Sequence, residues 1–258
     1  MKYSEANKKA WDQRTAVHMK SAFYDVAGFK AGKTSLQEIE LAELTQVEGK
    51  KLLHLQCHFG LDTLSWARKG AQVTGVDFSS TAITSAKMLS DNLGIEAEFI
   101  CSDVYQYDNF CKNKKFDIVY TSYGALCWLP CLKKWAETVA NCLKPGGQFY
   151  MVEFHPVNYF LEGDSYFHQT APLMSSEGTY TENACSEESE MFTWSHPLSE
   201  VINALSNEGL SITRLNEFAF SPYDCFDGLV EKQAGRYYKF FGDKETPVVY
   251  SLSASKGE

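Results

Sequence analysis

The sequence has no apolar run approaching the roughly 20 residues that a membrane span needs. Its opening residues, MKYSEANKKAWDQR, hold no apolar core of the kind a secretory signal requires. The expected location is therefore the cytoplasm, with no membrane partner. Positive charge is also scarce, since 24 Lys and Arg stand against 33 Asp and Glu for a net charge of −9. Nucleic-acid backbones are gripped largely by Lys and Arg, so nucleic acid is not the expected partner. The short basic stretch at residues 112–115 reads as a solvated loop before a strand. Eight cysteines are scattered along the chain. The nearest pair, Cys127 and Cys131, has no second pair and no adjacent His to complete a tetrahedral site, so no metal is expected and the thiols read as reduced. Gly-x-Gly-x-x-Gly is missing as well. Without it a loop loses the usual close backbone approach to a pyrophosphate, which argues against a nicotinamide-dependent dehydrogenase.

What is present is a core. At 258 residues and 44% hydrophobic content the chain can bury one full domain with additions. The informative stretch is residues 51–80, KLLHLQCHFGLDTLSWARKGAQVTGVDFSS. Leu52, Leu53 and Leu55 form a buried-strand run, Gly60 breaks it, and residues 62–69 have helical spacing. A second apolar run, residues 71–76, ends at Asp77. In such a strand-turn-helix-strand unit, a carboxylate about 20 residues past the turn holds the two hydroxyls of an adenosine ribose.

The alternation continues with a helix at 81–93 stopped by Gly94, a strand at 95–101 followed by Asp103, and a strand at 117–121. A helix over 132–143 is stopped by Pro145-Gly146-Gly147 before a strand at 148–154. This order predicts a parallel sheet with helices on both faces, whose ligands sit at the carboxyl ends of the strands. Residues 56–60, 77–79, 102–104, 122–128 and 153–155 should meet there in one crevice. Before this unit, residues 1–48 form an N-terminal extension in which Trp11, Thr15, His18 and Ala22 share a helical face. It reads either as an aromatic stripe packed on the domain or as a lid bearing His18 and Tyr24. A further helix is expected over 36–47. The main domain, residues 49–258, carries two irregular insertions, at about 155–191 and 217–246, long enough to be covers. The acidic run from Glu182 to Glu190 reads as a solvated turn or strand. A helix after His196-Pro197 and strands at 210–215 and 248–252 complete the chain.

The segments LLHLQCHFG, VTGVD, ICSDV, FDIVYTSYG and LKPGG, in this order, resemble the class I S-adenosylmethionine-dependent methyltransferases. The resemblance is closest over residues 50–154 and looser over 197–252. It implies an α/β fold with a doubly wound, mostly parallel, seven-stranded Rossmann-like sheet whose last strand is antiparallel. It implies S-adenosylmethionine as cofactor and S-adenosylhomocysteine as product. Asp77 would bind the ribose hydroxyls, with Ser79 nearby, and Phe78 would pack on the adenine. Asp103 would bind the adenine amino group beside Val104, and Ser122 and Tyr123 would flank the methionine moiety.

The family's acidic-x-Gly-x-Gly-x-Gly loop departs here to His54, Gln56, His58 and Gly60. Side chains in place of glycine predict negative φ at 56 and 58. Those side chains either donate to the methionine carboxylate or pack outward and leave the loop to its backbone. The activated methyl needs an aligned acceptor and little else, so the expected activity is methyl transfer to O, N or S of a small molecule. Tyr123, Glu153 and His155 are the candidate catalytic groups. Trp128, Tyr159 and His168 join His18 and Tyr24 as candidate acceptor or lid contacts. The Asn/Asp-Pro-Pro-aromatic motif of nucleobase-amino methylation is replaced by Thr121-Ser122-Tyr123-Gly124. The alternatives are an RNA or protein methyltransferase and a non-catalytic binder of the cofactor.

Overall fold

A computed structural model describes residues 2–109, 114–183 and 188–258. Lys112 of the basic stretch and Glu187 of the acidic run lie outside the described residues. In chain order the elements are α1 (Lys2–His18), α2 (Val26–Lys30), α3 (Glu38–Glu43), β1 (Lys51–Leu55), α4 (Leu61–Arg68), β2 (Gln72–Asp77), α5 (Ser80–Leu93), β3 (Glu98–Cys101) and β4 (Phe116–Ser122). They continue with α6 (Leu132–Cys142), β5 (Leu143–Phe154), α7 (Val157–Leu161), β6 (Leu173–Glu177), β7 (Ser189–Thr193), α8 (Leu198–Asn207) and β8 (Leu210–Phe218). Short strands follow: β9 (Phe220–Ser221), β10 (Val230–Gln233), β11 (Arg236–Tyr238), β12 (Phe240–Phe241) and β13 (Lys244–Glu245), before the long β14 (Val249–Lys256).

Seven strands make the central sheet, in the order β3-β2-β1-β4-β5-β14-β8. Strands β1 to β5 pair in parallel, while β14 is antiparallel to both β5 and β8. This is the mostly parallel, doubly wound α/β arrangement that the element order predicts. Alternation along each strand decides which face a residue serves. Leu53, Leu55, Val119, Phe149 and Leu252 pack with Trp135 and Val139 of α6 and with Val201 and Leu205 of α8. Leu52, Ile118, Tyr120, Tyr150 and Val152 pack on the other face with Trp66 of α4 and Ile39 of α3. Both tryptophans are fully buried, each worth about 3 kcal/mol of apolar transfer. Gly75 is required within β2, because a Cβ there would lie 2.7 Å from the Phe99 ring.

Some boundaries differ from the sequence reading. Only Glu38–Glu43 of residues 36–47 is helical, closed by the Leu44 amide donating to the Glu40 carbonyl. β5 follows α6 directly at Leu143, so Pro145-Gly146-Gly147 lie inside the strand rather than between elements. α1 ends at His18, which leaves Ala22 beyond the helix. Cys57, Cys101, Cys127, Cys131 and Cys225 are free, whereas Cys142 is disulfide-bonded, against the reading of reduced thiols. Among the described residues no helix is long and apolar enough to cross a membrane.

A cover lies over the carboxyl ends of the strands. The side chain of Asn7 in α1 behaves like a strand partner of β7. Its Nδ2 donates to the Phe192 carbonyl and its Oδ1 accepts the Phe192 amide, both at 2.8 Å. Arg14 Nη2 donates to the Gly178 carbonyl at 2.5 Å, and Asn183 Nδ2 to the Val17 carbonyl at 3.0 Å. Glu182 accepts the amides of Ala22 and Phe23 just past the helix. At its other side α1 is pinned to α5, where Asp12 accepts from Ser79 Oγ at 2.6 Å and from the Thr81 amide at 3.0 Å.

Candidate active site

A cavity of about 850 Å³ opens at the carboxyl ends of β1, β2, β3 and β4. Residues 56–62, 76–78, 102–106, 122–125 and 127–130 line its floor, and Trp11, Arg14, Phe23, Tyr24, Tyr180 and Tyr223 close it from the cover. Of the residues singled out in the sequence, Gln56, His58, Gly60, Asp77, Phe78, Asp103, Val104, Ser122, Tyr123, Tyr24, Trp128 and Tyr159 come together on this cavity. Ser79, Glu153, His155, His18 and His168 do not line it.

The loop after β1 overturns the expectation of negative φ. Gln56 has φ +58°, His58 φ +50° and Gly60 φ +81°, so every second residue is left-handed. For Gln and His this costs about 1 kcal/mol or more each. Contacts hold them there. Gln56 Nε2 donates to the Ala125 carbonyl at 2.7 Å, and the His58 amide donates to Asp77 Oδ2 at 2.8 Å. At Gly60 a Cβ would meet the Phe99 ring at 2.6 Å, so this third position tolerates glycine alone.

Asp77 also accepts the Ser79 amide through Oδ1 at 2.8 Å. Burial raises its pKa to about 6 despite these two amides, and the Asp12 carboxylate adds to the effect. Asp103 uses Oδ1 for the Tyr105 amide at 2.9 Å. Ser122 Oγ donates to Asp62 Oδ2 at 3.1 Å and stands 3.3 Å from His54 Nε2. Ser35 Oγ donates to Asp62 Oδ1 at 2.6 Å, and burial holds this carboxyl above its ordinary range. Tyr123, at φ +25°, donates its hydroxyl to Glu40 Oε2 at 2.9 Å. Burial, then the nearby Asp62, push Glu40 up to about 7.

Behind the loop, His58 Nε2 lies 2.9 Å from His18 Nδ1, and His18 Nε2 lies 2.5 Å from Thr179 Oγ1. Burial, then the Arg14 cation, lower His18 to about 3. Burial, then His18, take His58 well below its ordinary value. Two buried polar atoms of the loop, Gln56 Oε1 and His58 Nδ1, have no partner among the described residues.

Glu153 and His155 sit at the end of β5, but their polar atoms are occupied. The Glu153 carboxylate accepts the amides of Gly124, Ala125 at 2.8 Å, Leu126 at 3.0 Å and Phe154 at 2.7 Å, so it closes the turn after β4. His155 accepts the Val157 amide at Nδ1, 3.1 Å away, which leaves Nε2–H to donate to Glu217 Oε1 at 2.9 Å. Within residues 153–155 only Phe154 reaches the cavity. His168 lies on the outside against His196, with Glu200 beside both. Ser79 caps α5, its Oγ accepting the Ala82 amide at 3.1 Å.

Sequence reasoning missed three charged groups here. Asp62 and Glu40 fall in segments read only as helices, with no role assigned to either carboxylate. Arg14, which lines the cavity, is three residues from Trp11 and four from His18, a helical spacing that could have flagged it.

Residues 52–147 match the family model of a methyltransferase domain. Over 175 residues the chain is 27% identical to the ubiquinone biosynthesis O-methyltransferase of Alkalilimnicola ehrlichii, covering 66% of this chain and 68% of that one. A S-adenosylmethionine-dependent methyltransferase from Clostridium acetobutylicum has a similar structure, with TM-score 0.59 and 16% identity over 85% of this chain and 89% of that one. The glycopeptide N-methyltransferase MtfA complexed with S-adenosylmethionine matches with TM-score 0.55 and 14% identity, over 84% and 92% of the two chains. Sheet order, the domain match and these relatives agree: residues 52–147 form a methyltransferase domain, and the chain has the fold of the class I S-adenosylmethionine-dependent methyltransferases, whose cofactor the family match implies.

Proposed function

We propose that this methyltransferase acts on an oxygen, nitrogen or sulfur atom of a small molecule enclosed between the strand ends and the cover. The observation that carries this reading is the roof. Rings of Phe23, Tyr24, Tyr123, Tyr180 and Tyr223 lie in a connected band with centroids 5.0 to 5.4 Å apart where they touch, apart from the Tyr24 and Tyr180 rings, whose hydroxyls meet at 2.5 Å. A pocket closed in this way suits a compact acceptor rather than a polypeptide or RNA strand. The O-methyltransferase relative supports hydroxyl compounds as the first acceptors to screen.

The lining residues fit the cofactor. Asp77 and Asp103 offer carboxylate oxygens to an adenosine, with Phe78 and Val104 beside them for the base. At the other end, Arg14 and Asp62 line the cavity with opposite charges, suited to a group that is itself an ammonium and a carboxylate. The cofactor supplies a methyl already activated on a sulfonium. The chain's part is to hold, orient and dry. Aromatic rings stabilise the cation without competing as nucleophiles, and Tyr123, hydrogen-bonded to Glu40, is the group positioned to pass on a proton from a hydroxyl acceptor. Glu153 serves the turn after β4, and His155 ties the end of β5 to Glu217 of β8 across β14.

Calorimetric binding of S-adenosylmethionine and S-adenosylhomocysteine to the wild type and to Asp77→Ala tests the site. Losing hydrogen bonds to a charged group should weaken both ligands by about 1.5–3 kcal/mol, roughly 10- to 150-fold, with the fold checked by thermal melting. Wild-type protein that binds neither ligand would overturn the reading.

A further inference from the structure

Among the described residues, one group of three metal-ligating side chains comes together, outside the lining of the cavity: His168, His196 and Glu200. One ligand atom from each lies within 4.8 Å of the other two. His168 belongs to the insertion that follows β5, whereas His196 precedes α8 and Glu200 stands in its first turn. His196 Nδ1 is 2.9 Å from Glu200 Oε2, and His168 Nδ1 is 3.8 Å from Glu200 Oε1. The two imidazole centroids are 5.1 Å apart.

The hydrogen bonds around these rings leave positive charge wanting. His196 Nε2 lies 2.8 Å from the Leu129 carbonyl oxygen, which can only accept, so this nitrogen carries the proton of a neutral ring. Its Nδ1 is then a bare lone pair facing a carboxylate oxygen, and two acceptors 2.9 Å apart need something positive between them. A second proton on His196 answers that contact alone. It leaves His168 Nδ1, which is buried and has no hydrogen-bond partner among the described residues, still unanswered. One divalent ion answers both, since it takes a lone pair from each ring and an oxygen from the carboxylate. Neighbouring ligands of a tetrahedral zinc stand about 3.3 Å apart, a value that the 2.9 and 3.8 Å separations bracket. The remaining closure is a turn of the His168 side chain, which is 30% exposed and free to make it. The carbonyl of Leu129 also fits this reading, because a metal-bound imidazole is ordinarily oriented by donating its other N–H to such a group.

We propose that His168, His196 and Glu200 hold a divalent transition-metal ion, zinc foremost, as a clasp between the insertion and the rim of the pocket. Two imidazole nitrogens and a carboxylate suit zinc, whereas magnesium and calcium take oxygen ligands. His168 and Glu200 are each about a third exposed, so water completes the fourth position. The clasp reaches the pocket through the partners of its own segment. Leu129 and Cys127, whose carbonyls accept the His196 Nε2–H and the Trp194 amide, both line the cavity. None of the three ligands does, so the ion holds the insertion in place and takes no part in moving the methyl group.

The test titrates zinc chloride into the full chain, free of any affinity tag and first stripped with a chelator, by calorimetry and by elemental analysis after dialysis. The wild type should bind about one zinc per chain, and its melting temperature should rise with zinc concentration, as linkage requires, but not with magnesium. His168→Ala and Glu200→Gln should each weaken zinc by roughly 100-fold or more, since losing an outer partner of a metal ligand already costs about 10- to 100-fold. Both variants should melt like the stripped wild type when no metal is added. His155→Gln is the control: His155 has the same 2.9 Å contact with a glutamate, Glu217, but belongs to no three-ligand group among the described residues, and its loss should leave zinc binding unchanged. A wild type without saturable zinc binding overturns the proposal. So does zinc held equally well by His168→Ala and Glu200→Gln, as free cysteines would hold it, or stabilisation by magnesium equal to that by zinc.

Discussion

Gln56, His58 and Tyr123 carry positive φ without being glycine, and each uses its side chain to reach something a glycine could not. The sign of φ has a direct consequence for substitution. A β-branched residue is strongly disfavoured at positive φ, and glycine is not. His58→Val should therefore be less stable than His58→Gly by at least about 1–2 kcal/mol in urea unfolding. A negative φ would give the reverse order. Glu40 yields a second prediction. Its folded pKa, about 7, lies above the unfolded value, so between about pH 4.5 and 7 the folded state holds more protons. The stability this contributes is full below the unfolded pKa and is lost as pH rises through about 7. Glu40→Gln should remove this part of the slope in ΔG against pH, on the order of 3 kcal/mol at most. Legibility at this scale followed locality. The places of Asp77 and Asp103 on the cavity could be read because strand ends follow a grammar. Glu153 and His155 obey the same grammar and looked alike, but their partners are backbone amides of a distant turn and Glu217, which no pattern in the sequence announces.

Elements β1 to β5 and their helices were legible for the same reason: apolar runs bounded by glycine and acid report burial within a few residues. The cover was not. α1 has little hydrophobic stripe of its own, and its docking depends on polar groups such as Asn7, whose partner Phe192 is 185 positions away. Asn7→Ala would leave the buried amide and carbonyl of Phe192 unpaired, at a cost of roughly 2 kcal/mol or more. Amide hydrogen exchange in α1 and β7 should then quicken by about thirtyfold or more, while exchange in β1 and β4 stays as in the wild type. Equal acceleration in all four elements would mean that the cover and sheet form one cooperative unit.

At the scale of the molecule, a conventional sheet carries an unconventional roof. The sheet brings the strand ends together, and the roof joins the first helix to segments that follow β5. The acidic balance of the surface, −9 overall, gives no electrostatic capture of polyanions and leaves selection to the shape of the enclosed space. This closure also has a meaning in time. α1 finds its partners at Gly178, Asn183 and Phe192 across separations of 164 to 185 residues. Contacts of such separation close late, because the loop between them must be ordered first. In pulse-labelled refolding, amides of β1, β2 and β4 should become protected before those of α1 and β7. The chain would thus pass through a stage in which the sheet exists and the pocket does not. The helix that roofs the pocket is the last to take its place.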